Sequence, residues 1–163
     1  MKTRKILSLI SALVFALAAP ASLAEGLALT DMAGREITLD APATRVIALN
    51  PADCEILYAL GAEDVLVGRG EYCNYPEAVL ELPSVNSGAE TNIEQILALE
   101  PDVIVMSKMA QTVEQVEALE AAGVRVVISD AQNLAGVYDA IAMLGELTGK
   151  QEEAAALSSQ MQE

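Results

Sequence analysis

The residues able to do chemistry are few and lie close together. Cys54 and Cys73 are the two cysteines, Tyr72 and Tyr75 flank the second of them, and Arg69 stands between Gly68 and Gly70. Asn50, Asp53 and Glu55 gather where the first long helical run begins. Backbone N–H groups at such a helix start can receive an anionic group, while Asp53 also reads as a plain N-cap. A Cys54–Cys73 disulfide would close a loop of about 20 residues and stabilise by about 3 kcal/mol on the chain-entropy model. The same residues also read as two separate thiols, with Cys54 a small buried side chain. Two thiolates without further ligands make a poor metal site. Arg69, with flexible backbone on either side, could reach an anionic ligand or pair on the surface with Glu71 or Asp64. The rings of Tyr72 and Tyr75 could stack on a flat ligand, and a phenolate can ligate ferric iron. Tyr75, just before Pro76, could instead pack under its own loop; Tyr72 is expected to be the exposed ring.

Much chemistry is excluded by composition. The 163 residues include no His and no Trp, so neither a His-ligated zinc nor a Ser-His-Asp triad can be built within this chain. No Gly-x-Ser-x-Gly elbow and no P-loop is present. A net charge of −15 disfavours nucleic acid and anionic membranes as partners, because both are polyanions. An apolar fraction of 53% is too high for a disordered acidic tail.

The N-terminus reads as an address. Lys2, Arg4 and Lys5 precede the apolar run Ile6–Ala19, and small residues follow to Ala24. The run is short of the ~20 residues that span a bilayer, so residues 1–24 are expected to be a cleaved signal peptide. No cysteine sits just after the run, so no lipid anchor is expected. Export to an oxidising compartment, a bacterial periplasm, favours pairing of Cys54 with Cys73.

Elements that must position these residues follow from pattern. A hairpin is expected over Leu27–Asp31 and Arg35–Leu39. Strands are expected at Arg45–Leu49, Val65–Val67, Val103–Met106 and Val124–Ser129, each a short apolar run. Helices are expected at Ala52–Leu60, Thr91–Leu99, Thr112–Ala122 and Asn133–Thr148, with a short helical turn at Glu77–Leu82. Thr91 to Glu94 fits a capping box, with Glu94 at its third helical position. Strands alternating with helices predict an α/β lobe of βαβ units with a mostly parallel sheet flanked by helices. In such sheets ligands bind beyond the carboxyl ends of the strands. Asn50–Cys54, Gly68–Tyr75 and Ser107–Gln111 are expected there, joined by Asn86–Thr91, with Met106, Met109 and Gln111 lining the cleft or the methionines packed in the core. From Gln151 a helical run reaches Glu163 without a closing Gly or Pro, so the chain is expected to be a fragment.

Four stretches carry a family resemblance: TDMAGREITLD, TRVIALNPADCEILYALGAEDVLVGRGEYCNYP, LPSVNSGAETNIEQILALEPDVIVM and LEAAGVRVVISDA. In order and spacing, over roughly Leu27 to Lys150, they resemble the type III periplasmic binding proteins of ABC importers. The resemblance implies an N-terminal lobe over residues 25–150, and the start of an inter-lobe helix over 151–163. The second lobe of the family pattern does not follow. It implies a monomeric, non-enzymatic receptor without an intrinsic cofactor, which captures an iron–siderophore, haem or cobalamin complex between two lobes. The membrane partner is the ABC permease of the inner membrane. By matching position, Asn92-Ile93-Glu94 implies that Glu94 docks on the permease, a role that can coexist with capping. Asn50, Arg69, Tyr72 and Met109 are the expected ligand contacts. Ser87-Gly88-Ala89-Glu90 lacks the ring some relatives carry before the docking helix. The competing reading is a secreted α/β enzyme whose catalytic groups lie in a missing C-terminal half.

Overall fold

The computed structural model describes residues 26–88, 91–108 and 112–163; the expected signal peptide lies outside the described residues. β1 (Leu27–Thr30) and β2 (Glu36–Leu39) form an antiparallel hairpin of their own, as expected. The rest of the chain is the α/β lobe. In chain order it runs through β3 (Val46–Ala48), α1 (Pro51–Ala59), β4 (Leu66–Gly70), β5 (Ser84–Val85), α2 (Ile93–Ala98), β6 (Val103–Met106), α3 (Val113–Ala121), β7 (Arg125–Ile128), α4 (Leu134–Thr148) and α5 (Gln151–Met161). Short 3-10 turns at Glu63–Val65 and Glu77–Glu81 complete the connections. Among the described residues no helix is long and apolar enough to cross a membrane.

The five strands pair in the order β5-β4-β3-β6-β7, every pair parallel. Parallel strands must be covered on both faces, and the period-two alternation of strand side chains shows how. Val46, Ala48, Val103, Val105 and Val127 join one apolar cluster with Leu57 of α1 and Ile141 and Leu144 of α4. Ile47, Leu49, Ile104, Met106, Val126 and Ile128 join the other with Ile96 of α2 and Leu119 of α3. Each strand thus feeds two cores with alternate residues, which is why RVIAL and VIVM read as unbroken apolar runs.

The hairpin is fastened to the β7 edge by an ion pair between buried Asp31 and half-buried Arg35 that sequence pattern did not reveal. The Asp31 carboxylate accepts from the N–H groups of Ala33 and Arg35, each at 2.9 Å, and from the N–H of Ile128 at 3.2 Å. The Arg35 guanidinium lies 2.9 Å from the same carboxylate and donates to the carbonyl of Val126 at 2.6 Å and to Glu120 at 3.0 Å. Every lone-pair direction of a buried charge is thereby answered, the condition under which burying it is tolerable.

Three local expectations change. β4 runs on to Gly70, so Arg69 is a strand residue and not part of a loop. β5, two residues long, was not foreseen. The capping box at Thr91 does not form: the Thr91 hydroxyl donates to the carbonyl of Gly88 at 2.6 Å, closing the preceding turn. Asn92 becomes the N-cap and accepts from the Gln95 N–H at 3.1 Å, which moves Glu94 to the second helical position. A capping box does form at Thr112 with Gln115.

Gly70 explains the length of β4. A Cβ there would collide with the carbonyl oxygen of Leu49 and lie 3.1 Å from its Cα. Only a bare backbone lets β4 pass so close to the end of β3. Gly70→Ala is expected to cost about 1–3 kcal/mol through overpacking, read as a lower urea midpoint at unchanged slope; an unchanged midpoint would show that the strands yield.

Candidate ligand cleft

The order of strands reverses direction on either side of β3. β3 connects outward to β4 and β5, whereas β6 and β7 extend the other way. The loops after β3 and β6 therefore diverge and leave a crevice at their carboxyl ends. A hollow of about 180 Å³ sits there, lined by Leu49, Asn50, Pro51, Tyr72, Ser87, Gly88 and Ser107. Four segments that follow strands thus meet in one place, through Asn50, Tyr72, Ser87 and Ser107.

Asn50 opens this floor. It is the N-cap of α1 in extended conformation, with Pro51 as the first helical residue, and its side chain makes no capping bond. The amide lies at the border of the hollow, beside the Asp53 carboxyl. Tyr72 lines the same hollow and is 70% exposed; Tyr75 is 66% exposed, so both rings, and not Tyr72 alone, stand free of the core. Tyr58 and Tyr138 pack against the core, as their helix stripes suggested.

Arg69 behaves differently from expectation. It does not line the hollow. Its guanidinium turns onto the loop that follows, with one Nη1 donating to the carbonyls of Gly70 at 3.2 Å and Cys73 at 3.1 Å. The neighbouring Nε is buried without a partner. The extension of β4 places Arg69 on one face of the sheet, from which its guanidinium folds back as a staple for the tyrosine loop. No Arg69 ion pair to Glu71 or Asp64 forms. Met109 and Gln111 lie outside the described residues. Glu94 is exposed on the first turn of α2, as a surface contact requires.

Cys54 and Cys73 are free thiols, so the expected bridge is not formed in this structure. Both are fully buried, and each Sγ lies 3.6 Å from the carbonyl oxygen of Ala48. They are brought together as the sequence suggested, at the end of β3. The hydrogen bond between them raises the Cys54 thiol, with burial adding to the effect, and lowers that of Cys73.

Asp53 is the residue whose role sequence reasoning misjudged. It is not the N-cap but the third residue of α1, and it is 1% exposed. Its Oδ1 accepts from the Ser129 hydroxyl at 2.6 Å, tying α1 to the end of β7. Its Oδ2 has no hydrogen-bond partner. Burial pushes the carboxyl up to about 7, with Ser129 and more weakly the nearby Asn50 opposing. It borders a second hollow, about 220 Å³, which shares Asn50 with the first and is closed by Ser129, Ala131 and Val137. The signal available in sequence was the serine at a strand end facing an acid one turn into a helix.

A larger hollow of about 580 Å³ lies at the opposite, amino-terminal edge of the sheet, beneath the hairpin. Of its two carboxylates, Asp40 and Asp102, the second is already committed: Asp102 accepts from the N–H and hydroxyl of Thr44 and from the N–H of Arg45. No cluster of three or more potential metal ligands occurs among the described residues.

Comparison with known proteins agrees with this fold. The family model described as periplasmic binding protein matches residues 46–163. An ABC transporter substrate-binding lipoprotein of Bacillus subtilis, YvrC, is 31% identical over 134 residues, which cover 80% of this chain and 42% of that protein. A vitamin B12-binding protein of Vibrio vulnificus is 35% identical over 106 residues, covering 65% of this chain and 39% of the relative. A periplasmic haem-binding protein of Pseudomonas aeruginosa superposes with a TM-score of 0.70 at 29% identity, covering 74% of this chain and 43% of that one. The chain spans about two-fifths of the length of the curated relatives it matches.

The Asp53 environment sets a pH dependence. Its folded value, about 7, exceeds the ordinary 3.8. Between those values the folded state holds a proton that the unfolded chain has lost, so the stabilisation is complete below pH 4 and disappears as pH rises to 7. Asp53→Asn, which mimics the neutral acid, is expected to be more stable than the parent at pH 7.5 by a few kcal/mol. The two should converge near pH 4 in parallel denaturant melts; a stability difference that stays constant from pH 4 to 7.5 would refute the assignment.

Proposed function

The chain belongs to the periplasmic binding protein family, and we propose that it supplies one lobe of an ABC importer's solute receptor, holding a cobalamin-type corrinoid at the hollow floored by Asn50. The observation that carries this reading is the exposed Tyr72 ring beside a hollow whose other polar lining is uncharged. An aromatic face and neutral amide and hydroxyl groups suit a flat macrocycle bearing carboxamides. The binding names of the relatives supply two macrocycles, cobalamin and haem. Charge favours the first. Haem brings carboxylates, and a chain of net charge −15 whose Arg69 is spent on the carbonyls of its own loop, outside the hollow, repels anions. The same argument disfavours the anionic ferric siderophores that the resemblance placed first.

Haem is the second reading. With no His in the chain, an axial ligand from this lobe would have to come from a group such as the Tyr72 or Tyr75 phenol. An enzyme is not favoured: the one perturbed acid near the cleft, Asp53, is buried beneath its floor.

Titration of the whole protein with cyanocobalamin, haemin and a ferric catecholate, followed by visible absorbance, tests the reading. Saturable cobalamin binding at micromolar concentration or tighter is expected. Binding of haemin alone would shift the conclusion to the second reading, and binding of none would overturn both.

Two substitutions separate ligand contact from permease contact. Tyr72→Ala is expected to weaken cobalamin binding about 3–10-fold through loss of stacking without altering the melting temperature. Glu94→Lys is expected to leave ligand affinity unchanged while lowering uptake in cells, because an exposed charge acts on docking orientation and encounter rate. Loss of ligand binding in Glu94→Lys would refute its assignment to docking.

A further inference from the structure

Cys73 is the one buried residue in an otherwise exposed loop. Glu71, Tyr72, Asn74 and Tyr75 all face solvent, and only the Cys73 side chain turns inward, to zero exposure. There it meets Cys54, the fourth residue of α1, over the same carbonyl oxygen of Ala48. Nothing in the apolar surroundings requires a thiol at either position; two alanines or serines would fill similar space. The loop is otherwise held by weak means, the Arg69 guanidinium on the Cys73 carbonyl and the Cys73 N–H on the carbonyl of Gly70 at 3.0 Å.

We propose that Cys54 and Cys73 form an intramolecular disulfide that fastens the Tyr72 loop to α1. The reaction is a thiol–disulfide exchange with an external disulfide, whether a small molecule or an oxidase protein. The Cys73 thiolate attacks one sulfur of that disulfide and expels the other as a thiol, leaving a mixed disulfide on Cys73. Cys54, losing its proton to solvent, then attacks the Cys73 sulfur and expels the second thiol. One S–S bond breaks and one forms, two protein thiols are oxidised, and the external disulfide is reduced to two thiols. Cys73 is suited to the first attack. It lies on the loop that can lift away from the core, and the Cys54 hydrogen bond, with the nearby Arg69, favours its thiolate. Cys54, inside α1, is suited to resolution, because it waits at the place to which the loop returns. The S–H groups forfeited to Ala48 are weak donors, so little hydrogen bonding opposes closure. The bridge concerns the loop itself and does not depend on which ligand the cleft takes.

Trypsin provides a direct assay, because it cuts after Arg69, between the two cysteines. The protein is refolded in a buffer of oxidised and reduced glutathione, denatured with an alkylating agent present, and digested without reductant. The expected result is that neither cysteine is alkylated and that peptides 46–69 and 70–108 travel as one disulfide-linked species. Reduction should separate them and lower the melting temperature of the folded protein by roughly 5–10 °C. Alkylation of both cysteines, or a link between two copies of the chain, would overturn the proposal. The assay needs no ligand, so failure of the corrinoid reading would leave its result intact.

Discussion

The parallel pairing of β3 with β6 is the constraint on which the rest depends. Each of their residues is buried, so each strand has both faces in an apolar core, and neither can shift by one residue without exchanging the two cores. The helices that cover those faces must leave and return on opposite sides. That requirement sends the chain outward to β4 after one strand and to β7 after the other. The crevice between them is a by-product of covering the sheet, and the polar residues that line it are those left over at the strand ends.

Beneath that crevice the structure concentrates groups that resist burial. Asp53 with an unpaired oxygen, an Arg69 nitrogen with no partner and two thiols sharing one carbonyl all surround the end of β3 and the start of α1. The hydrophobic clusters on either side supply the stability that permits this. Such a floor is less adaptable than the exposed tyrosine loop above it. The division suits a receptor: a stiff base that sets position, and rings with rotational freedom that meet the ligand.

The sequence disclosed the parts governed by period and punctuation. RVIAL, VIVM and RVVIS declared buried strands. What remained hidden was decided by contacts between distant residues. Asp53 looks like a helix cap until Ser129, 76 residues away, is seen to claim its carboxyl. Thr91 looks like a cap until the turn at Gly88 takes its hydroxyl. Arg69 looks like a loop residue because the close approach of Gly70 to Leu49, which lengthens β4, is invisible in a linear reading. Tyr72 was legible as exposed from its loop, whereas the exposure of Tyr75 was not, because Pro76 suggested packing that does not occur.

The clasp between the hairpin and β7 has a temporal consequence. The Asp31 carboxylate finds the N–H of Ile128 across 97 residues of chain. A polypeptide that emerges amino end first presents β1 and β2 long before their anchor exists. Until β7 is added to the sheet edge, Asp31 and Arg35 have only each other and water. The hairpin is thus made before the rest of the lobe and secured late, a latch set by β7.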